Sequence, residues 1–72
     1  MKKINKIKIK INGKITTIVD KITLAELIKD LKIPLKKVAI ELNREITDKK
    51  RIRNIKLKNN DVVEIVHFIG GG

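Results

Sequence analysis

The chain has 72 residues and a formal net charge of +10, from 18 Lys and Arg against 8 Asp and Glu, with no Cys and one His. A chain this short holds one small core and buries only about 60% of its unfolded surface, which leaves no room for a deep catalytic cleft. Lack of Cys excludes a disulfide framework, a thiolate metal site and a catalytic thiol, and with His67 alone no His-based metal site or triad can be assembled within one chain.

Residues 1–6 form an irregular lead-in, because Ile4 is out of phase with Ile7, Ile9 and Ile11. Ile7-Lys8-Ile9-Lys10-Ile11 alternates strictly, placing isoleucines on one face and lysines on the other, as a half-buried strand requires. Asn12-Gly13 supplies two residues that tolerate positive φ, so residues 14–20 are predicted to return as the second strand of a hairpin. Thr23 and Glu26 have the spacing of a capping box, and Leu24, Leu27, Ile28 and Leu31 make one apolar helical stripe. Pro34 disfavours helical geometry at Ile33 and is expected to end the helix near Lys32.

Val38, Ile40 and Leu42 alternate with Ala39, Glu41 and Asn43 as a third strand. Across residues 44–58 the pattern is weak, and a short edge strand followed by an irregular crossover is expected. Asn59-Asn60-Asp61 reads as a turn with Asn60 left-handed. Residues 62–69 form the last strand, apolar on both faces and therefore central. The chain ends in Gly70-Gly71-Gly72. Side-chain-free residues at a terminus bury nothing and lose much freedom on ordering, so residues 70–72 are predicted to be a flexible tail on a domain of residues 1–69. Such a tail suits a terminal carboxylate that must enter a narrow channel.

The lysines are spread along the chain and Phe68 is the sole aromatic, so the stacking platforms of single-strand binders are missing and the charge reads as a solvated face. There is no apolar h-region behind the first lysines and no run near the ~20 apolar residues of a membrane span. A cytoplasmic protein without nucleic-acid or membrane partners is expected. If Val63 and Ile65 face the helix, alternation sends Val66 and Phe68 to the other face, where they are candidates for a partner-docking surface.

Two hairpin strands, a helix, two more strands and a last strand running into glycines resemble the α+β β-grasp (ubiquitin-like) fold, a mixed four- to five-stranded sheet with one main helix on one face. Within it, Ile11-Asn12-Gly13-Lys14, Thr23-Leu24, Val38-Ala39-Ile40-Glu41-Leu42-Asn43 and Asp61-Val62-Val63-Glu64-Ile65-Val66 before Gly70-Gly71-Gly72 resemble the ThiS family of sulfur carriers in thiamine biosynthesis. Asn60 stands where that family usually has Gly. The resemblance implies that a ThiF-like adenylyltransferase uses ATP and Mg²⁺ to activate the carboxylate of Gly72. A sulfurtransferase or cysteine desulfurase then supplies the persulfide that leaves a thiocarboxylate. A ThiG-like thiazole synthase takes the sulfur. Gly70 and Gly71 give the tail its reach and thinness. The carrier is then a substrate rather than an enzyme, has no catalytic residues, binds no cofactor or metal itself, and is a monomer when free. Other readings of the residues stay open at this point: the small subunit of a molybdopterin synthase, a ubiquitin-like modifier joined through Gly72, or a small basic nucleic-acid-binding domain.

Overall fold

The computed structural model describes residues 5–68. Gly70, Gly71 and Gly72, to which the resemblance assigns the terminal chemistry, lie outside the described residues, as does Ile69. Five strands form one mixed sheet: β1 (Lys6–Ile11), β2 (Lys14–Val19), β3 (Val38–Leu42), β4 (Glu45–Ile46) and β5 (Val62–His67), in the order β2-β1-β5-β3-β4. β1 and β5 are parallel, and every other neighbouring pair is antiparallel. One helix, α1 (Leu24–Asp30), covers one face. This is the expected β-grasp arrangement with five strands, and β5 is central as expected.

The hairpin forms where the alternation demanded it. Asn12 (φ 48°) and Gly13 (φ 83°) make a two-residue turn whose twist matches the flanking strands, and Ile11 pairs with Lys14 across it. Lys6 belongs to β1 rather than to the lead-in, and β2 stops at Val19, one residue before the predicted end.

Thr23 caps α1 in both directions. Its hydroxyl accepts from the Glu26 N–H at 3.1 Å, and its own N–H donates to the Glu26 carboxylate at 3.0 Å. The Thr23 main-chain and hydroxyl donors hold the Glu26 carboxyl below the usual glutamate range.

The helix ends at Asp30 with Leu31 as its cap, near Lys32 as expected, and the ending carries its own hydrogen bonds. The Ile33 N–H donates to the Ile28 carbonyl at 3.2 Å and the Lys32 N–H to the Lys29 carbonyl at 3.0 Å, with Lys32 left-handed at φ 57°. These are the two bonds of a Schellman ending, made here with Lys in the position that glycine usually takes. Leu31 becomes the cap and is exposed, so it drops out of the predicted stripe, while Leu24, Leu27 and Ile28 are buried. Lys32→Gly should stabilise the domain by about 0.5–1 kcal/mol, since relief of the left-handed side chain outweighs the added unfolded-state freedom. A rise in the urea midpoint at constant slope checks it.

Among the described residues the buried core is Ile9 of β1, Leu24, Leu27 and Ile28 of α1, Val38 and Ile40 of β3, Val63 and Ile65 of β5, and two residues of the crossover, Ile52 and Leu57. The crossover is irregular, as expected: a 3₁₀ turn at Ile52–Asn54 and an isolated bridge between Lys56 and Thr23. It nevertheless closes the core. Its backbone is stitched to the start of α1 by bonds from the Leu24 N–H to the Ile55 carbonyl at 2.8 Å and from the Leu57 N–H to the Ile22 carbonyl at 2.9 Å.

Candidate functional site

The site lies where the central strand leaves the sheet. β5 starts between two turns and outlasts its parallel neighbour: β1 pairs with it only at Lys10↔Val62 and Ile11↔Val63 before turning away at Asn12. Past that point a side chain replaces the missing strand. The Asn12 N–H donates to the Val63 carbonyl at 2.9 Å, and the Asn12 side-chain oxygen accepts from the Ile65 N–H at 2.7 Å.

At the start of β5, Asn43 plays a matching part on the β3 side. Its N–H donates to the Val62 carbonyl at 2.7 Å and its side-chain oxygen accepts from the Val62 N–H at 2.9 Å. The Asn43 side-chain amide also donates to the Asp61 carboxylate at 3.1 Å, and that carboxylate takes the Lys58 N–H at 2.8 Å. Asn60 is left-handed at φ 73°, as the turn reading expected.

The turn reading of Asn12 missed this bracing, because the partner N–H lies 53 residues away in sequence. The two roles separate experimentally. As a pure turn residue, Asn12→Gly should be neutral or slightly stabilising. Because it also leaves the partly buried Ile65 N–H without its acceptor, we expect a net loss of about 1–2 kcal/mol. Chemical denaturation reads the sign, and faster hydrogen exchange at Ile65 should accompany the loss.

β5 then delivers its last residues to the face away from α1. Val63 and Ile65 point into the core, and Val66 is 51% and Phe68 53% exposed, the division that strand alternation predicted. Phe68 lies beyond the strand but adds one rung: its N–H donates to the Lys37 carbonyl at 2.9 Å. The Lys49 ammonium sits 5.3 Å from the centroid of the Phe68 ring, within the range of a cation–π contact. Around Val66 the open face carries Ala39 directly opposite, then Glu41 opposite Glu64, then exposed Ile46 opposite Glu41. His67 is exposed.

Among the described residues no group of three or more His, Cys, Asp or Glu could hold a metal ion. No described helix is long and apolar enough to cross a membrane. What the arrangement offers is an exposed apolar pair, Val66 and Phe68, at the end of a central strand that Asn12 braces at Ile65 and Asn43 at Val62.

Comparison with known proteins covers most of the chain. Residues 9–72 match the model of the ThiS family. Over 50 residues, the chain is 42% identical to the sulfur carrier protein ThiS of Bacillus subtilis (strain 168), covering 69% of this chain and 76% of that protein. Over 65 residues it is 37% identical to a thiazole synthase of Paramagnetospirillum magneticum; the match takes in 90% of this chain but only 20% of that longer protein. Among solved structures, the thiamine biosynthesis protein (ThiS) from Geobacter metallireducens superposes with a TM-score of 0.81 at 30% identity, covering 92% of this chain and all of that one.

Proposed function

The chain belongs to the ThiS family of sulfur carriers in thiamine biosynthesis, and from that premise we propose that its chemistry resides in the carboxylate of Gly72. The observation that carries this reading is that the family match runs to the last residue, through all three glycines.

Carboxylate oxygen is a poor leaving group, so sulfur cannot replace it directly. A ThiF-like adenylyltransferase, using ATP and Mg²⁺, joins the Gly72 carboxylate to AMP and releases pyrophosphate. The terminal sulfur of a persulfide on a sulfurtransferase or cysteine desulfurase attacks the acyl carbon, and AMP departs. A thiol then cleaves the S–S bond of the acyl disulfide, leaving a thiocarboxylate on Gly72. A ThiG-like thiazole synthase receives the sulfur. The chain enters this cycle as substrate and contributes no catalytic group, cofactor or metal of its own. The match to a segment of a thiazole synthase supports that choice of acceptor over a pterin.

The test is intact mass after incubation with ATP, Mg²⁺, a ThiF-type adenylyltransferase and a sulfur source. Replacement of one oxygen by sulfur, assigned to Gly72 by fragmentation, is the expected result. An unchanged mass beside an adenylyltransferase shown to be active on another carrier would remove the reading.

Val66 and Phe68 form the docking surface that brings partners to the tail. An exposed aromatic beside a β-branched residue desolvates well on contact, and anchors of this kind are worth about 1–3 kcal/mol. Phe68→Ala should therefore raise the KM for the carrier in adenylation by about tenfold, while stability falls by less than about 1 kcal/mol because the main-chain bond to Lys37 remains. Loss of stability without a change in KM would return Phe68 to a packing role.

A further inference from the structure

The sheet has two edges of different character. β4 is two residues long, whereas β2 presents six residues, Lys14–Val19, with no strand outside it among the described residues. An edge of that length is a template for pairing, and neither proline nor an inward-pointing charge among Ile15, Thr16, Thr17, Ile18 and Val19 blunts it.

The hairpin fixes which backbone groups face outward. Ile11↔Lys14 closes the two-residue turn and is a hydrogen-bonded pair, so Thr16 and Ile18 also turn their N–H and C=O toward β1. The Asp20 N–H, which donates to the Asn5 carbonyl at 2.9 Å, continues that phase. Ile15, Thr17 and Val19 therefore direct their N–H and C=O away from the sheet.

We propose that β2 pairs antiparallel with β2 of a second copy, in the register that sets Thr17 opposite Thr17. Three observations favour this occupant and this register. The outward groups of Ile15, Thr17 and Val19 meet those of Val19, Thr17 and Ile15, so each is satisfied by its symmetry mate. On the open face the exposed side chains of Ile15 and Val19 become cross-strand neighbours. On the helix face Thr16 meets Ile18, and at each end Lys14 meets Asp20 of the partner, so opposite charges face each other twice. Shifting the register by two residues, to centre on Thr16 or Ile18, breaks the Ile15–Val19 and Lys14–Asp20 pairings. The groove between β2 and α1, lined by Thr16, Ile18, Val19, Leu27, Asp30 and Leu31, flanks the seam in each copy. β5 is two strands away from β2, so the pairing leaves β5 uncovered. This inference does not depend on the sulfur-carrier reading.

The net charge of +10 on each copy opposes the pairing, and the seam is small. The dimer is accordingly weak, with a Kd on the order of 10⁻⁴ M, and the chain is a monomer at low micromolar concentration. Sedimentation equilibrium up to about 1 mM protein in about 0.5 M salt, where the Debye length is ~4 Å, tests it.

The wild-type chain should show a reversible monomer–dimer equilibrium. Thr17→Pro removes an N–H that β1 does not use, and should abolish association while leaving the monomer folded. Lys14→Glu sets Glu against Asp20 at both ends and should weaken association about tenfold, although it lowers the net charge. Adding Asp20→Lys restores both the charge pairing and the original net charge, and should bring Kd back to within about twofold. A wild-type monomer over the whole range overturns the proposal. So does association that survives Thr17→Pro, or association that Lys14→Glu leaves unchanged.

Discussion

Deleting Gly72 should abolish adenylation and sulfur loading of the carrier while leaving its unfolding midpoint nearly unchanged. The functional half rests on reach. Removing one residue draws the terminal carboxylate back by up to ~3.5 Å, and a misplacement of only ~1 Å at a reacting centre can cost about a hundredfold in rate. The anchor cannot slide to compensate, because β5 is held by Asn12 at Ile65 and by the Phe68 bond to Lys37. The stability half rests on the location of the core. Among the described residues the buried ones lie between Ile9 and Ile65, so the deletion removes none of them. Thermal unfolding and a pyrophosphate-release assay, run on the same preparation, check both halves. Persistent adenylation of the shortened chain, now on the Gly71 carboxylate, would overturn the argument from reach. A marked loss of stability would give the glycines a structural role.

How much of the molecule was legible in the sequence depended on whether the information was local. The hairpin could be read because Asn12-Gly13 states its turn type and Ile7-Lys8-Ile9-Lys10-Ile11 states its phase. The start of α1 could be read because Thr23 and Glu26 satisfy each other within one turn. The geometry of its ending could not, because Lys32 takes a left-handed conformation for which glycine is the usual signal. The turn between β3 and β4 was obscured in the same way: Asn43 and Arg44 both have positive φ (52° and 72°), and Arg there hides the pattern that Asn-Gly would show. Of the site, the outward placement of Val66 and Phe68 came from strand alternation alone. The bracing by Asn12 and Asn43 did not, since each side chain meets a strand that is distant in sequence. Exposed Ile46 and buried Ile52 looked equivalent among the basic residues of 44–58, because a short edge strand and a 3₁₀ turn carry no sustained period.

That last ambiguity yields the largest expected effect on stability. Leu57 is 2% exposed and Ile52 3%, although no periodicity marks either as core. The crossover brings them beneath α1, and the Leu57 N–H bond to the Ile22 carbonyl fixes the depth. Leu57→Ala removes three methyl- or methylene-sized groups from a site tied down on both sides by backbone bonds, so the space cannot close. A loss of about 3–4 kcal/mol is expected, in the upper part of the range for buried Leu→Ala. Stability of about 0.05–0.15 kcal/mol per residue gives a domain of this length roughly 4–11 kcal/mol in total, so the variant approaches the folding threshold. Ile46→Ala, with a parent side chain exposed on the open face, should cost less than about 0.5 kcal/mol. Urea unfolding of the two variants at equal slope makes the comparison direct. Equal, small losses would show that residues 47–61 unfold separately from the sheet. A large loss confined to Leu57→Ala would make the crossover part of the cooperative unit that holds β5 in place. In that case the variant should lose sulfur loading only in proportion to its unfolded fraction, with the KM of the folded molecules unchanged.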